Sequence, residues 1–298
     1  MEEEKKGILV TISAYMLWGI LPIYWKTLDH IPAFEVLAHR IVWALVFMGI
    51  IILLLRKQKD FLSSVKDLGK DKKALIGITL AAFAISANWF LFIWAVNSGH
   101  VIQASLGYYI NPLISIMLGM LVMKETFTKP QWFSFLLAGI GVAYMTINVG
   151  AFPWVSIALA SSFAIYGLLK KLAAIPAIFG LTVETMIVTP LALIYLIPAA
   201  GPLGEVSWMS MNSLLVFSTG AVTAIPLLLF TSGTKRIPLS MVGFLQYIAP
   251  TLMLLIGVFL YQEPFTHVHL IAFSFIWAGL FLYTSDRFKR VRQYRKAS

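Results

Sequence analysis

No cysteine occurs anywhere in the sequence. Disulfides, thiolate nucleophiles and cysteine-held metals are therefore excluded. Charge is scarce as well: Asp, Glu, Lys and Arg make up 12% of the chain, against about a quarter in a soluble domain. Walker, Gly-x-Ser-x-Gly and His-Glu-x-x-His patterns are missing, so nucleotide-driven pumping by this chain and the common hydrolase chemistries lack their residues. The first apolar run carries no small-residue cleavage site. It is expected to remain as a membrane span rather than leave as a signal peptide.

Apolar residues dominate what is present. They form 59% of the 298 residues, and the mean hydropathy is +0.85. Apolar runs about 20 residues long, enough for a hydrocarbon core of ~30 Å, recur over 8–25, 33–55, 74–96, 101–123, 131–147, 152–170, 177–197, 211–232, 239–261 and 268–284. The expected class is an all-α polytopic membrane protein with ten transmembrane helices, because a membrane β-barrel shows alternating segments of about ten residues instead. Residues 56–73 read as a basic loop, the longest polar stretch, and 286–298 as a basic cytoplasmic tail.

The net charge of +10 does not point to nucleic acid, since no basic stripe with interleaved aromatics lies on a soluble face. It points to orientation. With both termini cytoplasmic, 21 of the 23 Lys and Arg fall in inner loops and tails; Lys26 falls outside and Arg40 lies within a span. The reverse arrangement nearly inverts that ratio.

A repeat organises the chain. Shifted by 138 residues, Tyr109, Ile110, Pro112, Gly119, Glu125, Phe127 and Thr128 meet Tyr247, Ile248, Pro250, Gly257, Glu263, Phe265 and Thr266. Gly141 and Thr146 then meet Gly279 and Thr284 in the same register. Five spans per half is an odd number, so matching segments run in opposite directions. Two halves, 1–148 and 149–285, are expected to form inverted five-helix repeats with a binding site near the midplane.

Ionisable groups inside a span cost a few kcal/mol each unless paired or hydrated, so they normally face an interior. Glu35, His39 and Arg40 lie in the second span, with Glu35 and His39 one turn apart and Trp43 extending the stripe. They read either as a contact for substrate charge or proton-linked gating, or as a structural pair pinning helix ends. Glu184 has no basic neighbour on its own helix. It is either paired from another helix or protonated for part of a cycle. A second set comprises Asn88, Trp89 and Trp94 in the third span, Gln103, Tyr108, Tyr109 and Asn111 in the fourth, and Gln246 and Tyr247 in the ninth. Amide and phenol groups beside indole faces suit an amphipathic or aromatic molecule better than a bare ion, the alternative being hydrogen-bond glue between helices. Trp18, Trp25, Trp132, Trp208 and Trp277, near span ends, are assigned to the interfacial belt. His267 and His269 diverge on a helix and do not make a metal pair; no metal and no cofactor is expected.

Four motifs together resemble the RarD-type proteins of the EamA family, in the drug/metabolite transporter superfamily. They are Glu35-x-x-x-His39-Arg40-x-x-Trp43, Asn88-Trp89-x-x-Phe92-x-Trp94, Gly107-Tyr108-x-Ile110-Asn111-Pro112 and Gly243-Phe244-x-Gln246-Tyr247-Ile248-x-Pro250-Thr251. The resemblance covers essentially the whole chain. It implies a bacterial inner-membrane carrier that exports small organic compounds. It also implies a central cavity lined mostly by the first four helices of each half, with the fifth and tenth peripheral. The partners are then a small-molecule substrate and the lipid bilayer; Glu35, His39 and Glu184 offer coupling to protons or another ion, an uncoupled facilitator being the alternative, and a homodimer is left open. An intramembrane enzyme on a lipid-linked substrate and a non-transporting scaffold or sensor are the competing classes.

Overall fold

Proline marks several helix starts because its fixed φ suits a first turn and its missing N–H costs nothing there. Pro32 and Pro238 are the N-cap residues of two helices, and Pro130 and Pro176 stand at or just before the starts of two more. The computed structural model describes residues 2–28, 30–97, 101–149, 154–199, 211–262 and 266–297. The helices are α1 (Glu2–Lys26), α2 (Ala33–Leu54), α3 (Gln58–Lys70), α4 (Lys72–Asn97), α5 (Val101–Leu121), α6 (Lys129–Val149), α7 (Trp154–Leu172), α8 (Ala177–Ala199), α9 (Met211–Thr234), α10 (Leu239–Gln246), α11 (Ile248–Leu255) and α12 (His267–Ala297). A π-helical turn, Ile256–Leu260, follows α11. Among the described residues there is no strand.

Large apolar side chains cover the outside of the bundle: Leu9, Leu54, Ile147 and Phe281 are each at least 65% exposed. Water would not tolerate so continuous an apolar coat, whereas lipid matches it and the helices satisfy their own backbone groups. Among the described residues nine spans are long and apolar enough to cross a bilayer, α10, α11 and the π turn counting as one, and a shorter apolar stretch, Gly107–Leu121, belongs to α5. The protein is an all-helical multi-pass membrane protein.

The helix pairing has a regularity. Helix α1 packs on α9 and α11, α2 on α8 and α9, α4 on α7 and α8, α5 on α7 and α10, and α6 on α12. Exchanging α1 with α7, α2 with α8, α4 with α9, α5 with α10–α11, and α6 with α12 turns this pairing into itself. Close approach at α6–α12 repeats it at atomic scale. A Cβ on Gly141 would lie 2.6 Å from the Ala272 carbonyl oxygen, and one on Gly279 2.7 Å from that of Ser134. Gly141 and Gly279 are 138 residues apart, and so are Ser134 and Ala272.

Two sequence expectations change. The basic stretch 56–73 is not a loop but contains α3, whose Phe61, Val65 and Leu68 recur at helical spacing and pack near Ile78, Ile175 and Val183. The abundance of lysine around them conceals the apolar face. The ninth span is broken at Tyr247, because Pro250 has no N–H for the Gln246 carbonyl and its ring crowds that oxygen. Residues 286–297, the basic tail, are helical and continue α12. Trp208, the Glu263 and Phe265 positions of the repeat and the Gln103 side chain lie outside what is described.

One end of the bundle gathers Glu3, Glu125, Lys170, Lys171, Lys235 and Arg236, each hydrogen-bonded to a group on another helix or its flanking turn. This basic end carries the N-terminal turn of α1. At the opposite end the Lys26 ammonium sits 3.8 Å from the centre of the Tyr261 ring.

Candidate functional site: a cavity between the two halves

On α1, Tyr15, Trp18, Pro22 and Trp25 follow one another at three- and four-residue steps, which places them on a single helix face. That face looks into a cavity of about 940 Å³. Helix α2 contributes Phe34, Leu37 and Arg40; α4 contributes Asn88, Trp89 and Phe92; α5 contributes Gly107, Tyr108 and Asn111. From the second half come Leu159 and Phe163 of α7, Thr223 and Leu227 of α9, Gln246 of α10, and Ala249, Pro250 and Met253 of α11. Among the described residues, helices α6, α8 and α12 add no lining residue. The volume and mostly apolar wall with a few polar groups are those of a small-molecule site.

The cavity reaches residues 28 and 30–32, the connection between α1 and α2 at the end away from the basic one. Toward the basic end it is closed in two layers. The first is aromatic: Trp18 and Phe163 meet at 5.6 Å, and Tyr166 stacks on Phe230 at 6.0 Å. Beyond it lies a polar layer. Glu125 accepts hydrogen bonds from the backbone N–H groups of Leu239 (2.6 Å) and Ser240 (3.0 Å), capping α10 where the helix dipole favours a carboxylate. Lys171 donates to the carbonyls of Ile237 (2.6 Å) and Thr234 (3.1 Å), and Lys235 donates to the Ile175 carbonyl. Burial, with Lys170 and Arg236 nearby, pushes the Lys235 ammonium down to about 8, while Glu184 opposes the shift.

Proline shapes the wall from both halves. Pro112 and Pro250 each deprive the carbonyl four residues earlier of its helical partner. Those carbonyls belong to Tyr108 and Gln246, which are 138 residues apart and both line the cavity. Irregular backbone at membrane depth is tolerated where it borders such a cavity.

Of the residues singled out from the sequence, Arg40, Asn88, Trp89, Tyr108, Asn111 and Gln246 come together around the cavity. Asn88 donates to the Leu159 carbonyl (2.8 Å) and Ser162 Oγ (3.0 Å), tying α4 to α7. The Arg40 guanidinium lies 4.5 Å from the Trp25 ring centre and 4.9 Å from that of Trp89, and its Nε donates to Thr223 Oγ1 at 3.1 Å.

The others stand elsewhere. Glu35 and His39 approach to 3.9 Å as a half-exposed pair and are not in the cavity wall. Trp43 packs on Phe217 at 4.4 Å in the α2–α9 contact, and Trp94 on Trp154 at 5.3 Å. Tyr109 and Tyr247 are buried in the join between α5 and α10–α11. The Tyr109 hydroxyl donates to the Pro250 carbonyl at 3.5 Å, and that of Tyr247 to the Tyr109 carbonyl at 3.3 Å. Glu184 is paired from another helix: Lys170 Nζ lies 2.5 Å from its carboxylate, and the Tyr166 hydroxyl donates to it at 3.3 Å. Burial this complete fits a locked ion pair.

Trp18 and Trp25 were assigned to the interfacial belt and instead line the cavity. The aromatic stripe of α1 carried that signal, since belt residues need not share a face. Thr223 had no sequence signal; a single Thr in an apolar helix is indistinguishable from one bonded to its own backbone. No group of three or more His, Cys, Asp or Glu that could hold a metal occurs among the described residues.

Residues 5–147 match the model of the EamA-like transporter family. The uncharacterized transporter YojE of Bacillus subtilis is 45% identical over 293 residues, covering 96% of each chain. The protein RarD of Salmonella typhi is 40% identical over 289 residues, again with 96% of each chain covered. A crystal structure only 18% identical in sequence superposes with a TM-score of 0.71, covering 93% of this chain and 96% of its own, and so shares the fold. On relatives this similar along nearly its whole length, the chain belongs to the EamA transporter family, in the RarD-type branch, and its work is transport across a membrane.

Proposed function

We propose that this protein is a secondary carrier that exports small organic molecules by alternating access. The observation that carries this reading is a cavity walled by both halves, reaching one end of the bundle and closed at the other by the aromatic and polar layers. A channel would run through, and a scaffold has no use for the volume. The halves are 1–148 and 149–285, and they act as inverted five-helix repeats. The pairing that exchanges into itself, the reciprocal glycine contacts at Gly141 and Gly279, and the matched prolines support that division. The basic end is cytoplasmic, as the distribution of lysine and arginine supports. The cavity is then in contact with the outer side, and opening the polar layer turns it inward. The bacterial relatives support placement in a bacterial inner membrane.

Purified protein in proteoliposomes tests the reading. A panel of amphipathic metabolites and drugs is offered under imposed pH gradients and membrane potentials. Saturable movement of at least one compound, lost on Arg40→Gln, supports the carrier. No movement of any compound under any gradient contradicts it.

A further inference from the structure

Arg40 is the one arginine within a span, and it sits in the cavity wall where no carboxylate pairs with it among the described residues. The carboxylate ion pairs Glu35–His39, Asp67–Lys70, Glu184–Lys170 and Glu3–Arg236 do not involve Arg40. Among the described residues no Asp or Glu lines the cavity, and His30 is its other basic lining residue. The part-buried Arg40 guanidinium borders the cavity, and the contacts it makes there are two indole faces and one hydrogen bond to Thr223. Neither kind of contact supplies a negative charge.

The geometry leaves room for the missing group. Only Nε of Arg40 is engaged by a protein acceptor among the described residues, so the two terminal nitrogens keep their donors for the cavity. Trp25 and Trp89 hold the guanidinium, which leaves its planar fork fixed for a bidentate acceptor. Around it the wall is aromatic and apolar, with Trp18, Phe34, Phe92 and Phe163. Two polar atoms of lining residues on α1 and α10, the Tyr15 hydroxyl and Gln246 Oε1, are buried and lack partners among the described residues. Buried polar atoms are rarely left so without a ligand or water to meet them.

We propose that the cavity takes an amphipathic organic monoanion: a carboxylate in the fork of Arg40, a planar apolar body along the aromatic wall, and a polar group toward Tyr15 and Gln246. The proposal rests on the cavity being the carrier's binding site. It gives the substrate one negative charge because the wall offers one fixed positive charge. A bare cation or an organic amine has no carboxylate to meet there. A phosphate monoester carries a second charge that Arg40 alone leaves unmatched.

Three probes with one body separate the charges: 3-phenylpropionate, its neutral amide, and 3-phenylpropylamine. Binding to the purified full chain is followed by tryptophan fluorescence, which Trp25 and Trp89 make sensitive to the Arg40 slot. Phenyl phosphate tests the dianion. The expected result is saturable binding of the acid, about 10- to 100-fold tighter than the amide, as charged hydrogen bonds worth 1.5–3 kcal/mol give. The preference should vanish in Arg40→Gln, shrink in Arg40→Lys, which keeps the charge and loses the fork, and weaken in Thr223→Val. Each variant is first shown to be monodisperse with a cooperative melt, and Thr223→Val keeps the test alive if an Arg40 variant does not fold. Equal affinities for acid, amide and amine overturn the proposal, as does tighter binding of the amine or the phosphate. Flux of the same probes separates this failure from that of the carrier reading. If the amide or amine is carried and the acid is not, the substrate class falls and the carrier stands. If the acid binds through Arg40 and nothing is carried, the carrier reading falls and the site stands.

Discussion

The hydroxyl of Tyr247 donates to the carbonyl oxygen of Tyr109, 3.3 Å away, and these are the two residues that the 138-residue repeat brings into register. They hold the halves together and leave the adjacent pair, Tyr108 and Gln246, to line the cavity. Position along the repeat therefore separates two roles. Tyr247→Phe removes one buried hydrogen bond and should cost about 1 kcal/mol, read as a small fall in melting temperature with ligand affinity unchanged. Gln246→Leu should do the reverse. A large affinity loss in Tyr247→Phe would contradict this division.

Glu184 and Lys170 form a pair that is almost wholly buried, with side chains 3% and 2% exposed. Removing one partner strands the other, and Glu184→Ala should destabilise by about 3–5 kcal/mol, whereas Lys170→Met with Glu184→Leu should recover most of the loss. Melting temperature and yield in detergent report both. The pair is read here as structural. If Glu184→Gln melts like the parent protein but transports with an altered pH dependence, Glu184 belongs to the coupling machinery instead.

Glu125 fastens the start of α10 and so closes the basic end. Loss of an N-cap costs about 0.5–2 kcal/mol, enough to raise the open population several-fold. The cysteine-free chain makes this measurable. In a Ser240→Cys background, where the residue is buried, Glu125→Ala should raise the rate of thiol labelling from the basic end by that factor. An unchanged rate would show that the aromatic layer alone holds the end shut.

Lys235 lies just beyond the end of α9, and its ammonium is held down to about 8, chiefly by burial. The unfolded chain keeps its proton up to about 10.4. Between those values the unfolded state binds more protons, so stability should rise with pH across that window. Lys235→Met should remove this part of the rise. A melting temperature that climbs equally in both proteins between pH 8 and 10 would place the effect elsewhere.

Much of the architecture was readable from the residues. Apolar run lengths gave the all-helical multi-pass architecture, and the 138-residue register matched Gly141 with Gly279, which make reciprocal close contacts between α6 and α12. Arg40, Trp89, Tyr108, Asn111 and Gln246 stood out because polar or aromatic groups deep in a span need an interior to face. The same reasoning treated Glu35, Glu184, Trp43, Trp94, Tyr109 and Tyr247 alike, since depth does not say which helix lies opposite. Lys170 resolves Glu184, and it sits 14 residues away on another helix. Trp18 and Trp25 were misjudged by distance from a span end, when their shared face with Tyr15 was the better guide. Thr223 acquires its part only through Arg40, on a helix 183 residues distant.

Counterflow is the most direct test of the central claim, that one cavity between two halves is offered to each side in turn. Proteoliposomes are loaded with unlabelled substrate, 3-phenylpropionate or whichever panel compound is carried, and placed in a trace of the same compound carrying a label. A single alternating site predicts that labelled compound accumulates transiently above its outside concentration, and that Arg40→Gln abolishes the overshoot. Entry that merely approaches equilibrium, at a rate indifferent to what is inside, would contradict the account.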